Sequence, residues 1–197
     1  MRAEGTRAAI LGAAVEIGSL RGLEELTMGG LASMVDMSKS GLFAHFGSKE
    51  ELQLATVARA WEIFESEVVP EPRSESDGGL EDILERWLSF FEHRTFPGGC
   101  FFVISAVEFA GLEGPVRDAL ADALERQTGA LESAVRAADE SGELRTRKDP
   151  RETAFALHSI LVNANSLFIV HGDPRVFDHA RATIRDLLGE PCTVRGG

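Results

Sequence analysis

Apolar residues recur along this chain at spacings of three and four, and no stretch keeps up a two-residue alternation. That periodicity gives each of a series of helices one buried stripe, and it predicts an all-α fold of about nine helices. Ile10, Leu11, Ala14, Ile17 and Gly18 line one face of a first helix that Thr6 would cap and Arg21-Gly22 would end. Met28, Leu31, Ala32 and Val35 mark a short second helix behind Thr27. Leu42 and Phe46, an i, i+4 pair, mark a short third behind Ser38. Ser48-Lys49-Glu50-Glu51 has the form of a capping box, with the Ser48 hydroxyl accepting from the Glu51 amide and the Glu51 carboxylate reaching back to the helix start. Behind it, Leu54, Val57, Trp61, Phe64 and Val68 carry a fourth helix to about residue 69.

Proline and glycine punctuate the rest. Residues 70–79 are rich in Pro, Ser, Glu and Gly and read as a linker. A fifth helix over Leu80–Phe91 precedes the breaker Pro97-Gly98-Gly99. Cys100–Phe109 is short and almost wholly apolar, and Pro115 opens a long helix that ends near Gly142. Asp149-Pro150 opens an eighth helix closed by Gly172, and Asp173-Pro174 opens a ninth closed by Gly189 and Pro191. The pattern predicts a three-helix segment over 1–48, a connecting helix over about 49–69 and a larger helical domain over 70–197.

Composition narrows the classes. The chain has 197 residues, 44% of them apolar, enough for a packed core. No uninterrupted apolar run reaches the ~18–20 residues of a membrane span, and the first residues lack a secretory pattern. Cys100 and Cys192 form no CxxC motif and no disulfide framework, which suits a cytoplasmic chain. There is no HExxH, Walker or GxSxG sequence, and His45, His93, His158, His171 and His179 make no metal-ligand spacing with acids. Neither an enzyme nor a metal or cofactor is indicated. The net charge is −12, yet residues 1–60 hold six Lys/Arg against seven Asp/Glu. The acid is therefore concentrated in the larger domain, and nucleic acid would be repelled everywhere except at the N-terminal face.

Thr27–Lys49 reads as two short helices joined by a tight turn at Val35-Asp36-Met37. The second begins Ser38-Lys39-Ser40-Gly41, small and polar enough for close approach to base edges. His45 and Lys49 flank the same surface, and Lys49 sits in the first turn of the fourth helix, where free amides favour a phosphate. Taken singly, each of these residues is equally at home at an ordinary helix start.

Together, Ser38-Lys39-Ser40-Gly41-Leu42-Phe43-Ala44-His45-Phe46-Gly47-Ser48-Lys49-Glu50-Glu51-Leu52 resembles the helix-turn-helix of the TetR/AcrR family of bacterial regulators over roughly residues 7–58. Gly98–Phe102 and Gly114–Asp118 resemble one subgroup of that family more weakly. The resemblance implies a homodimer reading a near-palindromic double-stranded operator with recognition helices about 34–36 Å apart. By position, Thr27 would bond a phosphate, Lys39, Ser40 and Gly41 would face bases and nearby backbone, and Phe43, His45 and Lys49 would pack on or bind the backbone. Three departures from the family pattern stand out. Phe43 replaces a tyrosine and loses its hydroxyl, Ser40-Gly41 replaces Gly-Thr, and Asp36 replaces the turn glycine and brings a negative charge near DNA.

The resemblance also implies that the larger domain binds a small molecule that releases DNA. Its aromatic content suits an apolar or aromatic effector, with Trp87, Phe91, Phe102, Glu108, His158 and Asn165 as candidate contacts. Aromatic residues at helical spacing equally suit a plain core. The eighth helix is apolar nearly all round and must be covered on both sides, which predicts an isologous four-helix contact using Phe155, Val162, Ile169, Phe177, Ile184 and Leu188. The sequence leaves open a ligand-independent regulator, an activator, or a helical binding module that never meets DNA.

Overall fold

A computed structural model describes residues 2–69, 79–144 and 148–189. Every regular element among them is an α-helix. In order they are α1 (Arg2–Arg21), α2 (Met28–Met34), α3 (Lys39–His45), α4 (Lys49–Val68), α5 (Leu80–Glu92), α6 (Phe101–Phe109), α7 (Pro115–Glu140), α8 (Pro150–His171) and α9 (Arg175–Leu188). Most of the linker expected over 70–79 lies outside the described residues, as do Pro191 and Cys192.

Most boundaries follow local chemistry. Thr27 accepts from the Gly30 amide at 3.1 Å and Ser38 from the Gly41 amide at 3.0 Å. Asp149 accepts from the Arg151 amide at 2.8 Å, and Gly172 and Gly189 close α8 and α9 in the left-handed conformation. Two boundaries differ from the sequence reading. α1 begins at Arg2 rather than after Thr6 and runs through Gly5, since no proline stands ahead of Thr6 to stop it. In the capping box Ser48 accepts from the Glu51 amide at 3.0 Å, but the Glu51 carboxylate reaches one residue further back, to the Gly47 amide at 2.8 Å.

The chain divides into two compact units, Met1–Glu65 with Arg94–Leu124, and Ser66–His93 with Glu125–Gly197. The division departs from sequence order, since α6 and its flanks join the helix-turn-helix. Glycine makes that possible. A Cβ on Gly98 would collide with the Ser19 backbone carbonyl, and one on Gly18 would meet the Phe101 ring at 2.7 Å. Backbone and ring thus approach α1 more closely than any larger residue allows. Trp61, Phe64, Phe96, Phe101 and Phe102 form an aromatic cluster in this first unit, with Phe101 and Phe102 edge-to-face at 5.5 Å.

In the second unit α8 packs on α5 and α9. The rings of Phe168 and Phe177 meet at 4.9 Å, tilted by 60°, and Arg181 of α9 grips the Glu85 carboxylate of α5 in two-pronged fashion at 2.6 and 2.9 Å. By length and composition α8 could cross a membrane, although the sequence holds no unbroken apolar run of that length. Its buried residues, among them Leu157, Leu161 and Phe168, are covered by protein.

Candidate nucleic-acid interface and effector site

The helix-turn-helix is held from beneath by a few buried residues. Leu31 and Ala32 of α2 and Leu42 of α3 are buried, and Phe46 closes α3. The Arg7 guanidinium lies 4.9 Å from the centre of the Phe46 ring, a cation–π contact that ties α1 to the end of α3. The turn between α2 and α3 closes as a Schellman motif. The Met37 amide donates to the Ala32 carbonyl at 2.9 Å, and Asp36 takes the left-handed position at φ 51°. The departure at Asp36 thus leaves the turn geometry intact and replaces glycine with a residue that tolerates it at some strain.

The structure leaves Thr27, Lys39, Ser40 and Phe43 exposed on this unit, and Gly41, His45 and Lys49 partly so. Phe43 is 42% exposed, so its ring has no pocket of its own. The Ser38 and Ser40 hydroxyls lie 3.1 Å apart. Lys49, expected to bind the DNA backbone, is engaged within the chain. Its ammonium donates to the Glu24 carboxylate at 2.8 Å and to the Glu24 carbonyl at 2.7 Å. The Lys49 hydrogen bond is the main reason the Glu24 carboxyl is held below its ordinary pKa. Buried Gln53, unremarked in the sequence, joins the same knot by donating to the Leu23 carbonyl at 3.0 Å and to Glu24 at 3.3 Å. A polar residue on the inner side of α4 was its only signal.

Of the six expected effector contacts, the structure brings Trp87 and His158 together, edge-to-face at 5.7 Å. Asn165 follows His158 on α8 by two turns and is buried, whereas His158 is half-buried. Phe91 is buried in α5 beside Phe90. Phe102 and Glu108 belong instead to the first unit, Phe102 in its aromatic cluster. Glu108 is a structural acceptor: its carboxylate takes the Leu23 amide at 2.7 Å and the Glu24 amide at 3.4 Å, capping the turn after α1. Gln127 of α7 was missed by the sequence reading. It is fully buried, and neither side-chain atom has a hydrogen-bond partner. A separate open cleft of about 370 Å³ lies between α5 and α9, floored by Leu84, Leu88 and Ile184, and none of the six expected contacts lines it.

The expected dimer residues fall into two groups. Phe155 is 72% exposed, and Val162 and Ile169 are partly exposed. Phe177, Ile184 and Leu188 are buried within the chain itself, where α9 packs on its own neighbours. They are core residues, because a single apolar stripe on α9 is already used inside the subunit. Among the described residues no cluster of His, Cys, Asp or Glu could hold a metal ion.

This arrangement, two short capped helices packed on α1 and followed in the chain by a helical body, defines a helix-turn-helix DNA-binding regulator. The family model for bacterial regulatory proteins of the tetR family matches residues 10–56, and the model for the tetracyclin repressor-like C-terminal domain matches residues 79–184. The chain belongs to the tetR family of bacterial transcriptional regulators. Among solved structures, a TetR transcriptional regulator from Chloroflexus aurantiacus is similar at TM-score 0.82 and 20% identity, over 94% of this chain and 96% of that one. A TetR-family regulator from Agrobacterium tumefaciens gives TM-score 0.82 and 18% identity over 94% and 99%. AibR, described in complex with isovaleryl coenzyme A and operator DNA, gives 0.74 and 23% over 94% and 100%. No curated protein sequence matches the chain.

Proposed function

We propose that the chain is a cytoplasmic homodimeric repressor, not an enzyme, that leaves a near-palindromic operator when a small molecule binds its second unit. The observation that carries the DNA half is the exposure of Lys39, Ser40 and Phe43 on a recognition helix anchored by buried Leu42. Thr27 and Lys49 supply flanking donors for phosphates. The similar AibR structure, with both an acyl-coenzyme A and operator DNA, supports a partner of each kind for this chain.

The effector half rests on Trp87, His158 and Asn165, which combine aromatic surface with polar atoms in the interior of one unit. The dimer half rests on α8. Phe155 and Val170 stand exposed, while Ser159 and Ser166 between them turn their hydroxyls onto their own helix carbonyls at 2.8 and 2.9 Å. A face whose hydroxyl donors are already satisfied is suited to burial against a second copy.

The experiment is a gel-shift titration with DNA from upstream of the chain's own gene. A shift that weakens with salt and disappears in the Lys39→Ala, Lys49→Ala double variant is the expected result. Absence of any shift at low salt, on that DNA and on selected random sequences, overturns the reading.

A further inference from the structure

The second unit buries polar side chains that its own helices do not satisfy. Gln127 is 0% exposed and Asn165 5%. Both side-chain atoms of Gln127, Oδ1 of Asn165 and Nε2 of His158 are buried without a hydrogen-bond partner. Native interiors satisfy nearly all such atoms, so these four are suited to a partner from outside the fold. Gln127 sits in the middle of the stripe by which α7 buries Leu131, Ala134, Val135 and Ala138. His158 and Asn165 share one face of α8, about 10.5 Å apart along its axis, and His158 meets the Trp87 ring. Thr153 is also buried without a partner but points about 140° away around the same helix, so it is no part of the group.

The chemistry of the group is uniform. An amide, a second amide and an imidazole offer both donors and acceptors, and an indole offers a flat apolar wall. No Asp, Glu, Lys or Arg is among the buried residues described. Burial also pushes the His158 pKa below its ordinary value, which keeps the ring neutral at pH 7. An ion entering this interior would lose its hydration and find no counter-charge.

Resting on the reading that this unit takes an effector, we propose that the effector is an uncharged molecule with an apolar, preferably aromatic, body and an amide-like head, held by Trp87, Gln127, His158 and Asn165. Gln127 and Asn165 set its specificity, because a site built to hydrogen-bond a polar head rejects analogues that leave those amides unpaired.

The test is the thermal midpoint of the full chain at pH 7.5 with benzamide, benzoate or benzylammonium, each at about 10 mM. The three probes share a ring and differ in head charge. Benzamide should raise the midpoint by about 2 °C and the two ions by less than about 0.5 °C. Gln127→Leu and Asn165→Leu should each match or exceed the wild-type midpoint without probe, having lost an unmet polar group, and should lose the benzamide shift. His158→Phe serves where either fails to fold. No benzamide shift overturns the proposal. If both ions match benzamide while Gln127→Leu still abolishes the response, the charge preference is wrong and the site stands. A benzamide shift that survives in every variant places the site elsewhere and overturns the reading beneath it.

Discussion

The ammonium of Lys49 is 2.8 Å from the carboxylate of Glu24, an acid in the turn before α2. Lys49 is thus held by an internal anion where DNA would offer a phosphate, and the two compete. The pair is half exposed, so it is worth roughly 0.5–1 kcal/mol and breaks readily. Removing the competitor should tighten DNA binding about two- to fivefold at fixed salt. Glu24→Gln tests this by titration, with Glu25→Gln as the control that removes the same charge from an exposed neighbour. Equal effects in both variants would assign the change to net charge alone.

Asp36 holds the left-handed position of the turn at φ 51°. Asp36→Gly relieves that strain and should raise the unfolding free energy by about 0.5–1 kcal/mol, the left-handed penalty less the entropy lost by glycine. Asp36→Asn keeps the tolerance for that conformation and removes only the charge. Urea midpoints should therefore rise for Gly and hardly move for Asn, while DNA affinity rises in both.

Glu108 accepts two backbone amides of the turn after α1, and Leu23, the nearer donor's residue, is fully buried. Glu108→Ala leaves that amide unpaired and should cost about 1.5–3 kcal/mol, with Glu108→Gln milder because an acceptor remains. Gly22, at φ 94°, has no room for a Cβ beside the same carboxylate. Gly22→Ala should cost at least about 1 kcal/mol through the backbone alone. Urea unfolding of the three variants checks the order.

What was legible in the sequence, and what was not, divides by range. The caps at Thr27, Ser38, Ser48 and Asp149 act over two or three residues, so residue type and spacing identify them. The exposure of Ser40 and Phe43 follows from burial of Leu42 on a different side of α3. Glu108 stood out as an acid in an apolar helix, but its partners lie 85 and 84 residues away, and no local pattern points to them. The stripe Phe177, Ile184, Leu188 was equally plain. An apolar stripe states only that it will be covered, and here the cover comes from the same chain. Gln127 was missed because one polar residue in an amphipathic helix carries no signal until its burial is known.

His158 gives a pH dependence whose sign is fixed. Burial lowers its folded pKa below the ordinary 6.5, so the folded state binds fewer protons than the unfolded one. The stability it contributes is present above about pH 6.5 and is lost as pH falls through the folded pKa. The thermal midpoint should drop between pH 7.5 and 5.5, and His158→Phe should drop less over that interval. Parallel curves for the two proteins would assign the acid sensitivity to other groups.

The dimer contact separates most sharply through residues of equal apolarity and opposite burial. Phe155 is 72% and Val170 76% exposed on α8, whereas Ile184 of α9 is 6% exposed inside its own chain. Thr183 of α9 also turns its hydroxyl to its own helix, at 2.9 Å from the His179 carbonyl, so α9 too presents a side with its hydroxyl donor satisfied. A charge at Phe155 must be buried in a dimer and remains in water in a monomer. Phe155→Glu should therefore yield a helical monomer at micromolar concentration, with operator affinity reduced by at least about tenfold because each half-site then binds alone. Ile184→Glu places its charge in the core and should lose helicity and melting cooperativity as well, while Trp87→Phe should leave the dimer intact. Light scattering with circular dichroism on the three variants decides it. A Phe155→Glu protein that stays dimeric would move the interface off this face of α8.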